Sequence, residues 1–103
     1  MMKTPRNYEE FEATLEHPQP ASDWPDAVKS LWYDAKGDWK ASHDIAQDLH
    51  NDLGSRIHAY LHRKEGDEFN AGYWYRRAKR ELPKISLEQE HREITEYVLG
   101  KGS

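Results

Sequence analysis

The chain has 103 residues, 36% of them hydrophobic and 33% charged, with a formal net charge of −4. That length suits one domain with a modest core, and the lack of cysteine excludes a disulfide framework, thiolate chemistry and metal–thiolate sites. No apolar run approaches membrane length and no signal-peptide core opens the chain, so the cytoplasm is the expected location.

Residues 1–6 read as a frayed end. Asn7 is placed to cap a short helix running through Glu16, with Glu10 completing a capping box and Tyr8, Phe11 and Leu15 forming its apolar stripe. Two prolines exclude regular helix from residues 17–23. Asp23-Trp24-Pro25 opens the next helix, which lines one face with Val28, Leu31, Trp32 and Ala35 and stops at Gly37. Asp38 caps a following helix from Trp39 to about His50, with Ala41, Ile45 and Leu49 as its inner stripe. Residues 51–54 read as a turn.

Residues 56–83 organise the rest. A first helix ends at Gly66, where a left-handed residue costs nothing for lack of a Cβ. Asp67 caps the second helix and Glu68 meets the positive end of its dipole, while Arg63 and Lys64 sit at the negative end of the helix before. Ala71, Tyr75, Ala78 and Leu82 form one face, and Pro83 closes the hairpin. Ser86 with Gln89 then caps a last helix to Leu99, in which Ile94, Tyr97 and Val98, with Ile85, cover the open end of that hairpin; Gly100 ends it, and the last three residues are tail.

A weak internal repeat is visible. Gly37-Asp38 and Gly66-Asp67 are 29 residues apart, whereas Trp39/Phe69 and Ala41/Ala71 are 30 apart, which reads as a single-residue deletion in one copy. Residues 1–54 carry a net charge of −6 and residues 55–103 one of +2, a split that can steer a partner or pair two subunits.

Gly66-Asp67, Ala71, Tyr75, Ala78 and Pro83 resemble the second half of a tetratricopeptide repeat, and also the related Sel1-type repeats. Ala59 falls at the small-residue position of the first helix, while His58 and His62 stand where that family has leucine and tyrosine. The resemblance covers about residues 59–83 and implies paired antiparallel helices and a partner-binding surface. The His58-Ala-Tyr-Leu-His62 stretch also resembles small bacterial proteins, a likeness that implies no activity. The expected fold is therefore all-α: two stacked tetratricopeptide-like hairpins over 23–83, a short helix and linker over 1–22, and a capping helix and tail over 84–103.

His58 and His62 lie four apart on one helix face, a spacing that can chelate a divalent metal. A zinc-protease motif needs glutamate after the first histidine, and here that residue is Ala59. A third ligand would come from His50, His43 or Asp67; the competing reading is a pair of hydrogen-bonded histidines packed between helices. Glu88 and His91 form an E-x-x-H pair, but carboxylate-bridged di-iron bundles need two such motifs and further inward glutamates. Residues 73–80 mix aromatics with four bases, a composition that can bind single-stranded nucleic acid, although the acidic net charge and the absence of a recognisable motif weigh against it. No phosphate loop or nucleophile elbow is present, and no catalytic residue or cofactor is expected.

These readings converge on a non-catalytic interaction module for a protein or peptide, with self-association expected because two repeats are few for a free-standing solenoid. Its candidate binding residues are His58, His62, Arg63, Asn70, Tyr73 and Trp74. The alternative is a small-molecule or metal site centred on His58 and His62. Gly72, inside a helix, reads as a point of close approach.

Overall fold

The computed structural model describes residues 4–101. Among them are six helices and no strand, so the fold is all-α: α1 (Tyr8–Ala13), α2 (Asp26–Ala35), α3 (Trp39–Gln47), α4 (Asp52–Lys64), α5 (Glu68–Arg77) and α6 (Leu87–Lys101). Helices α2 and α3 pair, α4 and α5 pair, and α3 packs on α4 to join the two hairpins. No helix among the described residues is long and apolar enough to cross a membrane.

The N-terminal segment is better anchored than its sequence suggests. Asn7 caps α1, its Oδ1 accepting from the Glu10 amide at 2.9 Å. The Glu10 carboxylate reaches past Asn7 to the Arg6 amide at 2.8 Å and to the Arg6 guanidinium, and Pro5 is buried. Residues 1–3 of the expected frayed end, and 102–103 of the expected tail, lie outside the described residues. Helix α1 stops at Ala13, and Thr14–Glu16 continues as a 3₁₀ turn.

The buried stripes are shifted from those expected. In α2, Val28, Leu31 and Trp32 are buried, but Ala35 is exposed and Asp34 turns inward. In α3, Ser42 and Ala46 take the innermost line while Ala41, Ile45 and Leu49 are half-buried, and the helix ends three residues before His50. The reason is a polar contact: Ser30 Oγ donates to Ser42 O at 2.9 Å and lies 3.1 Å from Ser42 Oγ. Two serines that satisfy each other can occupy the closest approach of a helix pair, where larger apolar residues do not fit.

Residues 52–54 do not form a turn but open α4. Asn51 caps it, accepting from the Gly54 amide at 2.7 Å. A Cβ on Gly54 would lie 2.0 Å from Leu49 O, so only glycine lets the end of α3 press against α4. Gly72, by contrast, has open space around it; a Cβ there would meet only Arg76 Nη1 at 3.5 Å.

The two hairpins share several features at a spacing of 29 residues. Gly37 and Gly66 have φ of 86° and 87°, and Asp38 and Asp67 cap the helices that follow them. At the same spacing, Ser30 matches Ala59 and Ser42 matches Ala71, all four fully buried small residues. Trp39 is half-buried and Phe69 is 85% exposed, so these two aromatics are not equivalent positions.

Helix α5 ends at Arg77, leaving residues 78–86 non-helical and Leu82 half-exposed, outside the stripe of Ala71, Tyr75 and Ala78. Helix α6 meets the second hairpin through α4 and through Glu90, which reaches Arg63 and Tyr75, but it also packs on the first half of the chain. It lies across α1, α2 and α4, burying Ile94, Val98 and Leu99, while Tyr97 faces outward and Gly100 lies within the helix.

Two buried carboxylates tie the layers together. Asp34 accepts from the Tyr60 hydroxyl at 2.8 Å and from Lys64 Nζ at 2.9 Å. Glu90 on α6 accepts from Arg63 at 2.8 Å and from the Tyr75 hydroxyl at 2.5 Å. Burial first, and these carboxylates after it, raise both phenol pKa values, so the tyrosines act as donors.

Candidate metal centre

The α3–α4 contact assembles three histidines. His43 on α3 faces His58 on α4, their Nε2 atoms 2.9 Å apart. His62 follows one turn after His58, and the two rings stack with centroids 4.8 Å apart. One ring nitrogen from each of His43, His58 and His62 lies within 4.8 Å of the others. The i, i+4 pair on α4 sets one edge of this triangle, and the packing of α3 supplies its third corner.

Each ring is held from outside. Trp39, one turn before His43, stacks on it at 4.7 Å and donates its indole N–H to Leu61 O at 2.8 Å. Trp74 on α5 stacks on His58 at 3.9 Å. Glu65 Oε1 sits 2.7 Å from His62 Nδ1, which leaves the other ring nitrogen of His62 for the cluster. A carboxylate on the remote nitrogen fixes the tautomer and orientation of a metal-binding imidazole.

His58 is buried, and its pKa falls from 6.5 to about 4, chiefly through that burial and then through the neighbouring His43 and His62. His43 is also shifted down, first by burial and then by His62. Neutral imidazoles present a lone pair, the form a metal requires. Without a metal, one tautomer lets one Nε2 donate to the other, so the pair is also satisfied as a hydrogen bond.

The remaining candidates fall elsewhere. His50 is exposed because α3 ends before it; it lines a cleft of ≈ 370 Å³ that also touches His58, Trp74 and Arg77, outside the ligand triangle. Asp67 Oδ2 lies 3.9 Å from His62 Nδ1, but both Asp67 oxygens accept from Asn70, through its amide and its side chain. Asn70 therefore works at the helix cap, and Arg63 works on Glu90 and Ile85 O. Tyr73 is exposed under the Arg77 guanidinium. In the 73–80 segment Tyr75 is buried and Trp74 half-buried, so only Tyr73 and the bases face outward.

Glu88 is exposed and His91 buried beside Leu31 O, so the E-x-x-H pair does not converge. Of the site candidates singled out in the sequence, the structure brings together His58, His62 and Trp74, selects His43 from the three possible third ligands, and adds Trp39 and Glu65, which were not among them. The available signal was spacing: Trp39 and His43 lie four apart on α3, as His58 and His62 do on α4. No protein-family model, no curated protein and no solved structure matches this chain.

Proposed function

We propose that this protein binds one divalent transition-metal ion of the zinc type through His43, His58 and His62. The observation that carries the reading is the convergence of three imidazole nitrogens within 4.8 Å from two helices. Zinc–nitrogen bonds of about 2.0–2.1 Å place tetrahedral ligands about 3.3 Å apart. The separation of 2.9 Å between two of the nitrogens, with all three within 4.8 Å, brackets that spacing. Three neutral ligands leave a fourth position for water or a ligand atom, the arrangement of an open rather than a closed zinc site. Glu65 on His62 and the tryptophans against His43 and His58 supply the supporting contacts that such a site needs.

The test is native mass spectrometry of protein purified without a metal-affinity tag, followed by cobalt(II) titration read by visible absorption. One metal per chain and a tetrahedral cobalt spectrum, both lost in His43→Ala and His62→Ala variants that remain folded, support the site. A clean metal-free mass together with no cobalt spectrum overturns it.

A second reading has its own observation. Phe69 is 85% and Tyr73 44% exposed, four residues apart on the outer face of α5. Together with the helical-hairpin resemblance, this apolar strip supports a protein or peptide partner, or a second copy of the chain. A Phe69→Ser, Tyr73→Ser variant that is as monomeric or as self-associated as the parent in sedimentation removes self-association through this face.

A further inference from the structure

Arg56, on the face of α4 turned away from the histidines, is 8% exposed. Its Nε has no hydrogen-bond partner, and the guanidinium forms no ion pair among the described residues; it lies over the Tyr97 ring, 5.8 Å from the ring centroid. The other buried charges, Asp34 and Glu90, each accept two hydrogen bonds. A buried cation without an acceptor is costly, and proteins normally supply the counter-charge. Burial, and after it the like charge of Arg80, pushes the Arg56 pKa down, opposed by Glu90 and Glu93.

Arg56 and Arg80 together line two adjoining clefts. One, of ≈ 590 Å³, also has Leu53, Ala78 and Tyr97 in its wall; the other, of ≈ 390 Å³, lies along residues 79–85. The carboxylates near them are engaged or exposed. Asp52 lies 3.4 Å from Lys79 Nζ, Glu90 is taken by Arg63 and Tyr75, and Glu81 and Glu93, which also line the second cleft, are exposed. This half of the chain carries the net positive charge.

We propose that Arg56 and Arg80 form a binding site for the oxyanion of a small organic ligand, a carboxylate or a phosphate, with Leu53 and Tyr97 receiving its apolar part. A guanidinium presents paired N–H donors that match two oxygens of either group. Arg80, exposed at the rim, adds a second donor and draws the anion in.

The experiment follows the Arg Nε–Hε resonances by NMR while sodium benzoate or sodium phosphate is added, with sodium chloride at matched ionic strength as control. The Arg56 resonance is expected to shift saturably with benzoate or phosphate and not with chloride. Tighter binding of benzoate assigns a carboxylate ligand with an apolar body, and tighter binding of phosphate assigns a phosphate ligand. Arg80→Ala, at an exposed position outside any helix, is expected to weaken binding about tenfold, the loss of one charge-assisted hydrogen bond. Equal shifts with chloride, no saturation at millimolar concentration, or unchanged affinity in Arg80→Ala overturns the proposal. Thermal unfolding gives a second reading: phosphate or benzoate should raise the Tm of the parent above the chloride control and leave a folded Arg56→Leu variant unmoved.

Discussion

His43 and His58 hold their Nε2 atoms 2.9 Å apart across the α3–α4 contact. In the metal-free protein this is a hydrogen bond between two neutral rings, and removing one partner strands the other. We expect His43→Leu to cost about 1–3 kcal/mol, because the buried His58 then keeps an unsatisfied nitrogen. The His43→Leu, His58→Leu double variant should cost clearly less than the two single losses combined. Urea unfolding in chelator measures both. Strict additivity would show that the rings do not depend on each other.

The low pKa of His58 sets a pH dependence. Its folded value of about 4 lies below the 6.5 of the unfolded chain. As pH falls through 6.5 the unfolded state takes up the proton first, so stability declines between pH 6.5 and 4 and is level above that window. The ceiling for this one group is roughly 3 kcal/mol. The downward shift of His43 acts in the same direction. Chemical unfolding of the metal-free protein from pH 4 to 8 should show this slope, and a His58→Gln variant should reduce it, leaving the smaller part due to His43.

Asp34 is the buried acceptor for both Tyr60 and Lys64. Asp34→Ala leaves a buried hydroxyl and a half-buried ammonium without their acceptor, for an expected loss of about 3–5 kcal/mol. Tyr60→Phe removes one bond to a charged group and should cost about 1.5–3 kcal/mol. Lys64→Met should cost less than either, because the ammonium can reach solvent. A Lys64 variant more damaging than Asp34→Ala would contradict this ordering.

The glycines separate two effects that the sequence does not. Gly54→Ala places a methyl 2.0 Å from Leu49 O and must push α3 away from α4. Overpacking of that kind costs about 1–3 kcal/mol or more, and it would also disturb the histidine contact. Gly72→Ala meets only the end of the Arg76 side chain and should stabilise by about 0.5–1 kcal/mol through helix propensity. Thermal unfolding of the two variants should move Tm in opposite directions.

Lys79 occupies the left-handed position after α5, with φ of 62°, where the earlier hairpin turns place Gly37 and Gly66. Lys79→Gly should stabilise by about 1 kcal/mol, since a left-handed non-glycine residue costs about 1–2 kcal/mol. The exposed Lys79–Asp52 pair at 3.4 Å offsets little of that gain. A lower urea midpoint for Lys79→Gly would give that pair more weight than its exposure allows.

What the sequence by itself determined was local. Helix starts at Asn7, Asp38, Asp67 and Ser86 were legible because a cap needs only a side-chain oxygen and an amide three residues on. The hairpin turns at Gly37 and Gly66 were legible because a left-handed residue selects glycine. The i, i+4 pair of His58 and His62 was legible from helical period alone. Only the tertiary structure decided that His43, and not His50, completes the cluster, because that choice depends on where α3 stops and how closely Gly54 lets it approach α4. It likewise decided that Ser30 and Ser42 line the first hairpin, that α6 lies across α1, α2 and α4, and that Arg56 is buried without an acceptor. Burial of a polar group depends on partners distant in the chain, and a single sequence carries no direct record of those distances.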